Sequence, residues 1–517
     1  MLVLTNGKIW TGDGFASAVT IEGNRIAAID APVPHGARIL DLRGRFAMPG
    51  FIDNHVHFVN GGLQLRRVQL RDAASPEEMT SRIAAHAREL GRADWITGGG
   101  WDEQSWTPYA APTRALIDSI DNPVFVTRAD MHMALANGRA LQLAGITRET
   151  PDPPGGTIVR DEQREPTGLL KDAAMPLMTK VIPPASIDER VLAARGALRE
   201  AARFGVTSLC DMGMTPEAFD DFRAYQRLER ERALTARISL YMPISAYTRL
   251  RDAGVEKRFG GKLRIGGLKG FADGSLGSST AAFDEPFADE PHNCGLVMGD
   301  MSNGSIAKWV ADADAHELQI AIHAIGDRAN ADVLSIFESR PDTSTRRFRV
   351  EHAQHLNPSL IQRFANARVI ASMQPYHCID DGRWAERKIG PERAKSTYAI
   401  RSLIDAGAIV TFGSDWTVAP LNPLLGVYAA VTRRTVDGQH PNGWIPEQKI
   451  TVEEALRCYT INNAYATFAE HETGRLAPGL VADVVVLSTD PFAIPPEELQ
   501  NVQVDTTIVD GEIVYER

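Results

Sequence analysis

At 517 residues, with 44% hydrophobic and 23% charged side chains, the chain is much longer than one typical domain, and its ordinary globular composition excludes disordered and fibrous classes. A formal net charge of -11 argues against nucleic acid or an anionic membrane as a main partner, because both require a basic face. The four cysteines (Cys210, Cys294, Cys378, Cys458) form no C-x-x-C pair, no apolar run reaches about 18 residues, and the first apolar run is too short for a signal segment, so a cytoplasmic protein without disulfides or a membrane span is expected.

Residues 1–50 alternate apolar and polar positions between turn signals such as Asn6-Gly7 and Gly23-Asn24, which predicts short antiparallel strands and hairpins. The pattern returns at 482–487 and 506–515. Neither piece buries a core alone. The simplest arrangement is one β-sandwich domain formed by both termini, residues 1–48 with 470–517, and the rest of the chain inserted into it.

The middle of the chain repeats an apolar β run followed by a helical stretch, the pattern of parallel strands with crossover helices. Strands are predicted at 50–57, 205–212, 236–243, 263–273, 318–325, 347–354, 367–375 and 408–415. Eight such units make an α/β (β/α)8 TIM barrel, here residues 49–64 and 186–469. The stretch between the first two strands is too long for a loop and one helix. It predicts an inserted α/β subdomain at 65–185, with helices at 76–90, 113–119 and 136–144, a strand at 123–128 and a Pro/Gly-rich connection at 151–156. Since it leaves the barrel at the C-terminal end of a strand, it is expected to cover the active-site face.

Function in such barrels collects at the C-terminal strand ends. The first strand ends in His55-Val56-His57, and period-2 alternation puts both imidazoles on one side. Polar residues recur at later strand ends: Asp211, Lys269 with Asp273, His323 with Asp327, Glu351 with His352 and His355, His377, and Asp415. Alone, His323 or His352 reads as a hydrogen-bonded core histidine, and Asp415 as the N-cap of the next helix. Lys269 sits in the apolar run Ile265-Gly266-Gly267-Leu268-Lys269. A charged amine there carries a desolvation penalty, so it is either ion-paired with a nearby Asp or chemically altered. Taken together, two histidines on strand 1, lysine on 4, histidines on 5 and 6 and aspartate on 8 offer nitrogen and oxygen donors at one face. That set suits zinc or a similar divalent ion.

These residues stand in longer motifs: 49–57 (Pro-Gly-Phe-Ile-Asp-Asn-His-Val-His), 269–277 (Lys-Gly-Phe-Ala-Asp-Gly-Ser-Leu-Gly), 323–327 (His-Ala-Ile-Gly-Asp), Glu351-His352-Ala353, Ser372-Met373-Gln374-Pro375 with His377, Gly413-Ser414-Asp415, and 474–483. Over essentially its whole length the sequence resembles the amidohydrolase superfamily of metal-dependent hydrolases. The resemblance is nearest to the amidohydrolase-3 or YtcJ-like branch, which includes N-substituted formamide deformylase. It implies that His55, His57 and Asp415 hold the more buried of one or two zinc-like ions, and that His323 and His352 hold the second. It also implies that Lys269 is N6-carboxylated and bridges both ions in two-metal members, which would resolve the buried amine. An activated water then attacks a carbonyl, and Asp415 takes its proton and passes it to the leaving nitrogen. His132 and His377 match positions that face the pocket in YtcJ-like relatives, and at least one of them is expected to polarise the substrate carbonyl. Trp101, Trp106, Trp384 and Trp416 are candidates for an apolar pocket, with plain core as the alternative.

The expected activity is hydrolysis of a non-peptide C–N bond in a small molecule such as an N-acyl or N-formyl amine. A homo-oligomer such as a dimer is compatible with this reading. A superfamily deaminase or cyclic-amide hydrolase is the main competitor, although deaminases place a glutamate near the strand-5 histidine where this chain has Gly326-Asp327. A serine amidase is prompted only by Gly277-Ser278-Ser279, without the longer Gly/Ser run or an upstream lysine in matching context. An inactive binding protein on the same fold is disfavoured because all six ligand positions are filled.

Overall fold

A computed structural model describes residues 1–70, 72–101, 103, 106, 111–128, 133–153, 156–172, 174–213, 217–253, 261–277 and 279–517. They form two compact units, Met1–Gly61 with Ala194–Arg517, and Gly62–Ala193.

The larger unit holds an eight-stranded, all-parallel barrel with strands at Phe51–Val56, Val206–Met212, Arg237–Pro243, Leu263–Phe271, Ile320–Ala324, Arg349–His352, Ile370–Met373 and Val410–Phe412, paired in that order. Each falls inside or within a residue of its predicted span, because continuous apolar runs are what strands buried on both faces require. The seam between the first and last strands is bridged at several points. The Asp415 N–H donates to the His55 carbonyl and the His57 N–H to the Trp416 carbonyl, each at 2.7 Å. The Asn463 amide donates to the Ile52 and Phe412 carbonyls, and its oxygen accepts from the Phe412 N–H.

Both termini meet in one eight-stranded sheet. Its order is Glu512–Glu516, Val504–Val509, Val484–Leu487, Phe46–Pro49, Leu2–Trp10, Phe15–Glu22 and Arg25–Ile29, with Arg38–Asp41 also pairing with Leu2–Trp10. The sandwich-like closure comes from curling this one sheet. Ile21 and Ile26 near one end share a core with Val484, Val486 and Ile508 near the other. At Gly511, with φ +75°, an added Cβ would come within 2.3 Å of the Gly23 carbonyl, so the two hairpin turns touch. The sheet is tied to the barrel by buried Arg237, whose guanidinium pairs with Asp483 at 2.6 Å and also with Asp510.

The smaller unit has a six-stranded sheet made of Val68–Gln69, Ile96–Trp101, Val124–Arg128, Met133–Ala136, Pro166–Asp172 and Gly156–Arg160. Helices at Pro76–Ala87 and Gly138–Leu143 and a 3-10 turn at Arg114–Leu116 lie within the spans predicted as helical. Ser75 caps the first of these helices by accepting from the Glu78 N–H. The strand at Ile96–Trp101 had no signal in the sequence, because it contains three consecutive glycines. Gly99, with φ +131°, lies so close to the Thr127 backbone that a Cβ would stand 2.1 Å from its carbonyl oxygen. Among the described residues no helix is long and apolar enough to cross a membrane.

Candidate metal centre

The site is built at the C-terminal ends of the barrel strands, where each apolar strand gives way to a polar residue. One cavity of about 420 Å³ is lined by His55, His57, Lys269, His323, His352, His377 and Asp415. Asp415 is the focus of the group. Its Oδ1 lies 3.2 Å from His57 Nε2 and 3.6 Å from His55 Nε2, and its Oδ2 lies 3.8 Å from His377 Nε2. The ring centroids of His55 and His352 are 4.9 Å apart, and those of His323 and His352 are 4.5 Å apart.

The far nitrogens of three imidazoles are held by acceptors. His55 Nδ1 meets Glu351 at 2.5 Å, His57 Nδ1 meets the Met212 carbonyl at 3.0 Å, and His323 Nε2 meets the Gly274 carbonyl at 2.9 Å. Such bonds fix the tautomer and leave the opposite nitrogen with its lone pair. Asp415 and His352 both sit in left-handed backbone, with φ +55° and +75°, which non-glycine residues seldom adopt. Strain of this kind collects at sites where side-chain direction matters.

The polar atoms test whether an ion fits. His55 Nε2, His352 Nδ1 and Asp415 Oδ1 are buried and have no hydrogen-bond partner. One ligand atom from each of these three residues lies within 4.8 Å of the others. Buried polar atoms are rarely left unsatisfied in native proteins, and one or two cations held among these donors would satisfy them. Burial pushes the His55 imidazole down to about 4 and the His352 imidazole well below its usual value. Burial alone would raise the Asp415 carboxyl, but the surrounding His55, His57, His352 and His377 outweigh it and hold it well below the usual carboxylate range.

Lys269 is 2% exposed. Burial pushes its amine down to about 8 against the attraction of Glu351 and Asp415. Among the described residues Lys269 makes no ion pair with Asp211 or Asp273, and both carboxylates are hydrogen-bonded elsewhere. Asp211 takes the Tyr225 hydroxyl at 2.6 Å and the Phe58 N–H at 2.9 Å. Asp273 takes the backbone N–H groups of Ala282, Ile325 and Gly326 at 2.8–3.0 Å. The lysine Nζ instead lies 4.9 Å from the Phe271 ring centroid.

Of the aromatic candidates, Trp384 lines the cavity, together with Phe271, Leu276 and Tyr376. Trp101 does not. It is buried in the core of the smaller unit, where its Nε1 donates to the Val126 carbonyl at 3.2 Å. Trp106 lies in the same core and donates to the Ala73 carbonyl. Trp416 is also absent from the cavity wall, and its ring packs on Phe58 with centroids 6.0 Å apart. The pocket expectation is therefore corrected for Trp101 and Trp416. Tryptophan offers the same apolar bulk to a core as to a pocket, so residue type alone cannot separate the two. His355 is structural, with Nδ1 at 2.8 Å from the Thr397 hydroxyl and Nε2 at 3.0 Å from the Gln354 amide. His132 and Ser278 lie outside the described residues.

A parallel eight-stranded barrel with buried imidazoles and a carboxylate converging at its C-terminal end is the kind of site that metal-dependent hydrolases of the barrel type use. Residues 38–515 match the Amidohydrolase family, and the chain belongs to it, in the YtcJ-like branch. It is 39% identical to "Protein LONG AFTER FAR-RED 3" of Arabidopsis thaliana over 99% of this chain and 91% of that protein. It is 33% identical to "Putative amidohydrolase YtcJ" of Bacillus subtilis, covering 92% and 90%, and 28% identical to "N-substituted formamide deformylase" of Arthrobacter pascens, covering 100% and 98%. Among solved structures, an uncharacterized metal-dependent hydrolase from Pyrococcus horikoshii superimposes with a TM-score of 0.81 at 30% identity, covering 96% of this chain and 99% of that one.

Proposed function

We propose that this amidohydrolase cleaves the C–N bond of a small, non-peptide amide, an N-acyl or N-formyl amine with an apolar substituent. The observation that carries this reading is the convergence of His55, His352 and Asp415, with buried unpartnered donor atoms, in a cavity that also contains His57, Lys269 and His323. A divalent ion held there, zinc by the chemistry of the donors, would supply an acidified water and a polarised carbonyl. His55, His57 and Asp415 would hold a first ion. His323 and His352 would hold a second, and Lys269, once carboxylated, would add an anionic oxygen ligand.

The chain's own residues do the rest. The Asp415 carboxylate, ionised at neutral pH, receives the proton of the attacking water and returns it to the nitrogen, which leaves as the amine. His377, whose Nε2 lies 3.8 Å from Asp415 Oδ2, would donate to the substrate oxygen as negative charge builds on it. His132 is proposed for the same task. Trp384, Tyr376, Phe271 and Leu276 give the substituent an apolar wall. The likeness to N-substituted formamide deformylase supports the formyl end of the substrate range. The negative net charge supports a small-molecule substrate over a nucleic acid.

The test is a turnover screen over N-formyl amines, N-acyl amines, cyclic imides and carbamates, with metal analysis on the same preparation. Cleavage of the first two classes at the highest kcat/KM supports the proposal. A preference for cyclic imides, or release of ammonia from an amino-substituted ring, would replace it with the cyclic-amide hydrolase or deaminase reading.

A further inference from the structure

Beneath the metal centre, the barrel interior holds a polar network that the scheme above leaves unused. TIM barrels usually fill this space with layers of branched aliphatic side chains. Here Arg349 occupies it, fully buried. Its guanidinium donates to the Asn54 carbonyl at 2.7 Å and Oδ1 at 3.1 Å, the Tyr241 hydroxyl at 2.9 Å, the Ser372 hydroxyl at 3.1 Å and Glu351 Oε1 at 2.7 Å. These partners sit on barrel strands 1, 3, 6 and 7. An arginine satisfied from four strands is fixed in place, and its planar fork fixes what it holds.

What it holds is Glu351, which is also fully buried. One carboxylate oxygen takes Arg349. The other takes the Ser372 hydroxyl at 2.8 Å and faces His55 Nδ1 at 2.5 Å. A carboxylate paired with arginine only accepts hydrogen bonds. His55 Nδ1 must therefore be the donor, so the neutral ring has its proton on Nδ1 and its lone pair on Nε2. That Nε2 is the buried, unpartnered atom 3.6 Å from Asp415 Oδ1.

We propose that Glu351, clamped by Arg349, is a positioning residue that locks His55 in the Nδ1–H tautomer and so keeps the Nε2 lone pair directed at the metal ion. The inference rests on the reading of His55 as a ligand. Glu351 touches neither substrate nor ion and acts only through His55. The rival account is that Glu351 merely balances the buried Arg349 charge.

Glu351→Gln separates the two. In either amide orientation the NH2 group meets another donor. Turned toward His55, it forces Nδ1 to accept and moves the ring proton to Nε2. Turned toward Arg349, it would meet the guanidinium donor to donor, so the fixed arginine holds the amide in the first orientation. Glu351→Asp keeps the charge beside Arg349 but withdraws the carboxylate from His55, so the two changes fail differently. Ser239→Ala is the control for general loosening of the barrel interior, since Ser239 is buried and bonded to Arg264 without touching His55.

Two readouts are needed. Nitrogen-15 NMR of histidine-labelled, metal-free protein reports the His55 tautomer, and competition with a chromophoric chelator reports zinc affinity. The Nδ1–H form is expected in the wild type and Ser239→Ala, and loss of that form in Glu351→Gln. Zinc affinity should fall about 10–100-fold in Glu351→Gln, by less in Glu351→Asp, and not in Ser239→Ala. An Nε2–H form in the wild type overturns the inference, as does wild-type zinc affinity in both Glu351 variants. A wild-type protein that binds no divalent ion overturns the functional reading beneath it, and the tautomer result still stands by itself.

Discussion

The backbone N–H of Asp415 donates to the His55 carbonyl at 2.7 Å, while the carboxylate of the same aspartate stands 3.6 Å from the His55 imidazole. One residue thus fastens the barrel seam through its main chain and belongs to the candidate ion site through its side chain. Asparagine tolerates the left-handed backbone at this position and keeps the seam bond. Asp415→Asn is therefore expected to fold. It should lower kcat by about 100-fold or more, because it removes the group that moves the proton. Steady-state kinetics on the best amide, with metal content measured in parallel, checks this. Near-normal turnover with metal bound would mean that another residue is the base.

Removing the ion should affect stability as well as turnover. Without it, the buried His55, His352 and Asp415 atoms have no partner. A strong chelator is expected to abolish activity and lower Tm, and zinc or a similar ion should restore both. A ligand at 100 times its Kd contributes about 2.7 kcal/mol to stability. Full activity in a preparation shown to be metal-free would contradict the ion's role.

For Lys269, a pKa near 8 leaves about one amine in ten neutral at pH 7, far more than for an ordinary lysine, and the neutral amine is the form that takes up CO2. Lys269→Ala is expected to lose one ion and most activity, and a short carboxylic acid should restore part of both. Reconstitution of the metal-free protein should also be faster with bicarbonate present. Unchanged metal stoichiometry in Lys269→Ala would rule out the bridge.

Two tryptophans should respond in opposite ways. Trp384 lines the cavity, so Trp384→Ala should raise KM for substrates with bulky apolar groups while leaving Tm nearly unchanged. Trp101 is fully buried in the core of the smaller unit, so Trp101→Ala should cost about 3–5 kcal/mol of stability. Thermal melts and KM values for both variants decide the matter. A KM effect at Trp101 without a stability loss would return it to the pocket.

The barrel strands were legible in the sequence because an apolar run that ends in His, Lys or Asp is what a buried parallel strand needs when it delivers a polar group to one end of the barrel. Curling of the terminal sheet was hidden, since it depends on Gly23 meeting Gly511 across nearly the whole chain. The Arg349–Glu351 clamp was hidden for a related reason. A charged residue inside an apolar run shows only that something must satisfy it. Its partners Asn54, Tyr241 and Ser372 become neighbours only once the barrel closes. The strand at Ile96–Trp101 was hidden because its three consecutive glycines carry no apolar alternation, although Gly99 is what clears the Thr127 backbone.

The composite sheet also sets a timetable for synthesis. The strand Phe46–Pro49 gains its partner Val484–Leu487 only after almost all of the chain has been made. At about 5–20 residues per second, the early strands wait roughly 20–90 s on the ribosome with one edge open. An apolar edge exposed for that long invites pairing with a neighbouring chain. Slow or interrupted translation should therefore harm the yield of this protein more than a single substitution at its active centre does.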